Sequence, residues 1–245
     1  MDEELVTGSV GDYIVTYSPI LGRGAFGTVH EAVHRNTNRK CAAKQLFISD
    51  GGRKNDYMCQ MAERELKIIR DLHNHNNIVK VFDHLVKKNA CWIFLEFCDL
   101  GNLNEYLSKN PELDMLSKVK LMLESASAVA FMHAQDPPVI HRDIKLENIM
   151  MKREGDEDIV KLTDFGLSKL CDEQQSLSKA FHQGQYMTTT CGSQYFMAPE
   201  FSAEFKGGVK YDSSVDTFAL GLVHLVILES GQDVELLPLS GNMIT

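Results

Sequence analysis

The run His141-Arg142-Asp143-Ile144-Lys145-Leu146-Glu147-Asn148, followed by Thr163-Asp164-Phe165-Gly166, constrains this chain more than any other feature. It gathers a carboxylate, an ammonium and an amide into one loop. A second carboxylate follows a strand-like run from Ile159 to Thr163. Such a set suits phosphoryl transfer, which needs positioning and charge neutralisation more than covalent chemistry. Asp143 can accept the proton of an attacking hydroxyl. Asn148 and Asp164 are hard oxygen ligands suited to magnesium. Lys145 can neutralise charge on a γ-phosphoryl group as it moves. The competing reading, unrelated Asp and Asn residues in surface loops, would need this ordered set to arise by accident.

Two upstream features fit the same chemistry. Gly22-Arg23-Gly24-Ala25-Phe26-Gly27 is a weak motif alone. A dinucleotide fingerprint would continue into a helix, but here the strand-like Thr28 to Val33 follows. That makes a hairpin whose tip can lie over phosphates, where glycine lets backbone amides approach without a Cβ in the way. An ordinary glycine-rich turn is the plainer alternative. Lys44 lies on the next strand, Lys40 to Phe47. A lysine in such a run usually points to solvent, but a helix from about Asp56 to Leu72 offers it a partner. Met61, Glu65, Ile68, Ile69 and Leu72 share a helical face, so Glu65 is preferred over Glu63.

The first hundred residues favour strands: Tyr13 to Ile20, Thr28 to Val33, Lys40 to Phe47, Ile78 to Val86 and Cys91 to Phe97. After Cys98 the pattern turns helical. Leu103 to Leu107 is one short helix. The spacing of Leu116, Val119, Leu123, Ala126 and Ala130 predicts a long amphipathic helix buried along that stripe. Asp172 to Thr190 reads as a long polar loop. Phe218 to Leu228 reads as a buried helix, too short and too interrupted by His224 to span a membrane.

Composition narrows the setting. The net charge of −9 argues against broad contact with nucleic acid or an anionic membrane. Six cysteines without a C-x-x-C pair argue against structural zinc and point to free thiols in a reducing compartment. The acidic start, Met1-Asp2-Glu3-Glu4, is not a secretory signal. An intracellular protein, cytoplasmic or nuclear, is the expectation.

With these residues together, the chain resembles the eukaryotic protein kinase family over about Tyr13 to Glu229. The resemblance implies an α+β fold of two lobes with ATP between them and Mg2+ as cofactor. Residues 1–12 would be an N-terminal extension, 13–98 the β-rich N-lobe and 99–245 the helical C-lobe. Leu21, Gly22, Gly24 and Gly27 would form the ATP-covering loop. Val29 and Ala42 would lie above the adenine and Met150 below it. Leu95 matches the gatekeeper, Glu96 and Cys98 the hinge positions that bond adenine through backbone, and Asn102 a ribose contact. Lys44 and Glu65 would form the pair that holds the α- and β-phosphates. Ile69, His141 and Phe165 match a stacked regulatory spine, and Asp216 an anchor for the catalytic loop. Lys145, with Cys191-Gly192-Ser193 ahead of Ala198-Pro199-Glu200, matches the serine/threonine type, so protein serine and threonine hydroxyls are the implied substrates. Phe97-Cys98-Asp99, Asn104 to Leu107, Asp164 to Cys171 and Asp216 to Gly221 resemble the LIM-protein-interacting nuclear kinase group. Arg142 could receive a loop phosphate, best placed on Thr189.

Two departures stand out. Leu146 replaces the usual proline of the catalytic loop. After the helix containing Asp216 only a short stretch follows, so the C-lobe is expected to be truncated and Glu200 to lack its arginine partner. An ATP-binding scaffold with little activity is the alternative to an active kinase.

Overall fold

A computed structural model of the protein describes residues 6–24, 27–47, 49–50, 53–54, 63, 66–72, 74–87, 90–165, 169–170, 196 and 213–231. The N-terminal half forms an antiparallel sheet from β1 (Val6–Val10), β2 (Tyr13–Ser18), β3 (Gly22–Gly24), β4 (Gly27–His34) and β5 (Lys40–Phe47). A small hairpin of β6 (Ser49–Asp50) and β7 (Arg53–Lys54) stands apart, and β8 (Val81–Lys87) and β9 (Ala90–Glu96) complete the sheet. Its order is β1-β2-β4-β5-β9-β8, with β3 hanging from β4.

Strand β9 shows why the sheet holds together. All of its residues are buried. Successive side chains point to opposite faces, so Cys91, Ile93 and Leu95 join the main core while Ala90, Trp92 and Phe94 join a second cluster. In that second cluster the Tyr13 ring stacks on Phe94 with centroids 3.6 Å apart. Burial on both faces explains the continuous apolar run in the sequence. The structure starts β8 at Val81 rather than Ile78. Ile78 bridges Leu162 instead, and the Val79 N–H donates to the Leu162 carbonyl at 3.0 Å.

Helix α1 covers residues 66–71, with Ile68 and Ile69 buried. Beyond the sheet come α2 (Leu103–Lys109), α3 (Met115–His133), β10 (Val139–Ile140), a 3-10 turn (Leu146–Asn148), β11 (Ile149–Glu154), β12 (Glu157–Leu162), β13 (Lys169–Leu170) and α4 (Ser214–Glu229). Side chains of Asn102 and Asp114 cap α2 and α3 by accepting from Glu105 N–H at 3.0 Å and Ser117 N–H at 2.7 Å. The result is the two-lobed α+β arrangement, a sheet lobe joined to a mainly helical one. No helix among the described residues is long and apolar enough to cross a membrane.

Helix α3 exists as the sequence predicts, but it turns a different face inward. Leu116 and Leu123 are 79% and 65% exposed. The buried residues are Lys118, Leu121, Ser125, Ala128, Val129 and Met132. The reason is chemical. The Lys118 ammonium donates to the carbonyls of Leu228 and Ser230 at 3.0 and 2.5 Å, closing the C-terminal end of α4. Ser125 hydrogen-bonds Leu121 O at 2.9 Å and His224 Nε2 at 3.0 Å. Two polar residues with specific partners thus sit on the inward face, where an apolar stripe alone would not put them.

Candidate active site

Strand register sets up the first part of the site. Gly22 pairs with Val29, Val29 with Lys44, and Lys44 with Ile93, so these residues form one row across four strands. Ala42 pairs with Leu95 in a parallel row. The glycines differ in their reasons. A Cβ on Gly27 would collide with the Gln45 carbonyl, so packing alone demands glycine there. A Cβ on Gly22 would meet nothing, which leaves open space beside this backbone. Gly24 pairs with Gly27 at the hairpin end, and Leu21 donates its N–H to Val29 O at 2.9 Å.

Lys44 reaches across the lobes. Its Nζ lies 2.8 Å from Asp164 Oδ1. Burial pushes the Asp164 carboxyl up, but the Lys44 ammonium outweighs that and holds it below the usual carboxylate range. Asp164 itself has φ +65°, in the left-handed region that non-glycine residues rarely occupy. Glu65, expected to partner Lys44, lies outside the described residues, and its rival Glu63 is helical and exposed.

The catalytic loop is held by a closed set of bonds. Asn148 donates its amide hydrogens to Asp143 O at 2.8 Å and Asp143 Oδ2 at 2.7 Å. Both donors are thereby used, and Oδ1 is the acceptor atom of this amide. Lys145 Nζ lies 2.9 Å from the same Asp143 Oδ2. Asp143 thus has one oxygen committed to neighbours that fix its orientation. His141 Nε2 meets Thr163 O at 3.0 Å, its Nδ1 accepts from Asp143 N–H at 3.3 Å, and Thr163 N–H donates to Asn148 O at 3.0 Å. These bonds tie the two motifs together. The His141 ring meets Phe165 edge-on at 5.1 Å.

Underneath lies Asp216, on the first turn of α4 and fully buried. Its carboxylate accepts from His141 N–H at 2.7 Å, Arg142 N–H at 2.7 Å and His133 Nε2 at 2.9 Å. Arg142 has φ +70°. A strained backbone persists only where its surroundings over-determine it, and the paired bonds from Asp216 do that here. His133 was missed by sequence reasoning; nothing in the sequence ties the end of α3 to Asp216.

On the hinge side, Leu95, Glu96 and Cys98 are buried. Burial, then the neighbouring Glu96 charge, pushes the Cys98 thiol up to about 12. Cys41 and Cys98 are free thiols, and Cys41, Cys91 and Cys98 are all buried. Asn102 pairs with Met150 across the hinge, and its Oδ1 is the α2 cap. Thr189 and Glu200 lie outside the described residues.

The chain matches the profile of the protein kinase domain family over residues 15–234. This chain belongs to the protein kinase family. The family implies use of ATP and, typically, Mg2+. Among curated relatives, the kinase is 30% identical over 220 residues to serine/threonine-protein kinase 33 of Mus musculus, covering 87% of this chain and 41% of the relative. It is 27% identical to serine/threonine-protein kinase pakH of Dictyostelium discoideum, covering 94% and 40%. A probable myosin light chain kinase of the same organism is 30% identical, with 93% and 68% covered. The chain therefore spans about two fifths of the length of the first two.

Proposed function

We propose that this chain is a serine/threonine protein kinase domain that moves the γ-phosphate of ATP to protein hydroxyls. The observation that carries the reading is the Asp143 constellation, with Asn148 and Lys145 both on Oδ2 at 2.7 and 2.9 Å. A carboxylate held this way can receive the hydroxyl proton as that oxygen attacks phosphorus. Lys145 stands beside it to offset charge developing on the transferred group. Lys44 supplies a second ammonium, suited to the α- and β-phosphates. Asn148 Oδ1 and the Asp164 carboxylate are the oxygen donors that would hold Mg2+. Among the described residues no cluster of three or more His, Cys, Asp or Glu could hold a metal alone. Magnesium commonly binds one or two carboxylates and completes its shell with phosphates and water. When bound, Mg2+ neutralises phosphate charge. The hinge backbone at Glu96 and Cys98 is suited to adenine. The cytoplasm or nucleus, where ATP and magnesium are available, is the matching location.

The test is transfer of labelled phosphate from ATP to casein by the purified chain. Asp143→Asn is expected to lower kcat by roughly 10²–10⁴-fold. Equal transfer by the two proteins would overturn the assignment.

A further inference from the structure

The hinge is gripped by charge as well as by backbone. Glu96 ends β9 and is 5% exposed. Its Oε1 accepts from Lys152 Nζ at 2.6 Å, and its Oε2 lies 3.4 Å from Lys161 Nζ. Glu154 closes the cluster, with Oε1 at 2.6 Å from Lys152 and 3.4 Å from Lys161. The Lys161 side chain is 2% exposed. The Lys80 N–H adds a bond to Glu96 Oε2 at 3.3 Å. Two ammonium groups and two carboxylates therefore balance at a junction that is buried at Glu96 and Lys161 and open to solvent at Lys152 and Glu154.

The junction joins β9 to the β11–β12 hairpin. Strand β11 then holds the hinge at further points. Leu100 N–H donates to Met151 O at 3.1 Å, Met151 N–H to Gly101 O at 2.8 Å, and Arg153 N–H to Asp99 Oδ1 at 3.0 Å. Phe97 and Cys98 lie between these pins, outside any strand. An irregular segment has no ladder to set its register, so its backbone atoms depend on the anchors at each end. Buried ion pairs contribute little net stability compared with apolar packing, but the hydrogen bond from Lys152 Nζ to Glu96 Oε1 is directional and orients that carboxylate. A directional anchor is what a segment presenting backbone groups to a ligand needs.

We propose that Lys152 and Lys161, with Glu154, are positioning residues that fix Glu96 and so set the hinge backbone for adenine. This rests on the ATP-binding reading above. The test measures ADP affinity by titration calorimetry, together with KM for ATP and kcat, in Lys152→Met and Lys161→Met. Both variants should weaken ADP binding and raise the ATP KM about tenfold, with kcat within about twofold of wild type. Lys152→Arg should restore affinity, since it keeps the charge at a side chain that is 24% exposed. If Lys161→Met does not fold, Lys152→Met decides. A folded Lys152→Met that binds ADP as tightly as wild type overturns the inference, whether its stability falls or its kcat rises. A wild-type chain that binds no ADP overturns the ATP-binding reading and this inference with it.

Discussion

Replacing Asp216 with alanine removes the acceptor shared by His141 N–H, Arg142 N–H and His133 Nε2. All three donors would be left without it beneath the catalytic loop, at a site where Asp216 is 1% exposed. Hydrogen bonds to a charged group contribute about 1.5–3 kcal/mol each, and a buried donor left unsatisfied costs about 1–3 kcal/mol. Partial rescue by water lowers the total, so about 4 kcal/mol is the working expectation for Asp216→Ala. With a urea slope of about 2–3 kcal/mol/M, the unfolding midpoint should drop by roughly 1.5 M. Asp216→Asn keeps one accepting oxygen and should lose about half as much. Activity should fall further than stability alone explains, because Arg142 at φ +70° would lose a bond that holds its backbone. Urea unfolding followed by circular dichroism, paired with kcat measured well below the midpoint, checks both parts. A Asp216→Ala protein within about 0.5 kcal/mol of wild type, with unchanged kcat, would refute the reasoning.

Two further outcomes follow from side chains with unusual surroundings. Lys118→Met keeps the volume but removes the ammonium from the Leu228 and Ser230 carbonyls; it should destabilise by about 1–3 kcal/mol in urea unfolding, while a surface Lys109→Met control should change little. His30, His75 and His224 all have lowered pKa values, chiefly because burial disfavours the charged ring. The unfolded chain therefore binds more protons below about pH 6.5, so their stabilising contribution is present above that value and is lost as pH falls toward the lower folded values. Urea midpoints should decline from about pH 7.5 to about pH 5.5, and a flat or rising profile would contradict the assignment.

Much of the site could be read from sequence because its chemistry is local. Asp143, Lys145 and Asn148 lie in one short loop, and the bonds among them span two to five residues. Residue types that near-neighbour geometry can bring together leave a motif. Strand β9 was equally visible, since a strand buried on both faces reads as a continuous apolar run, here as far as Leu95. The inward face of α3 was not visible. Hydrophobic spacing selected Leu116 and Leu123, but Lys118 and Ser125 turn inward because carbonyls of α4 and His224 wait for them. The same holds for His133 on Asp216, and for Lys152 and Lys161 on Glu96. The sequence by itself determined the catalytic loop, most of the strand pattern and the kinase class, because periodicity and short spacing encode them; β1 (Val6–Val10), in the expected N-terminal extension, joins the sheet only by pairing with β2. The tertiary structure alone decided which polar side chains become buried partners, because that depends on donors and acceptors brought together from distant parts of the chain.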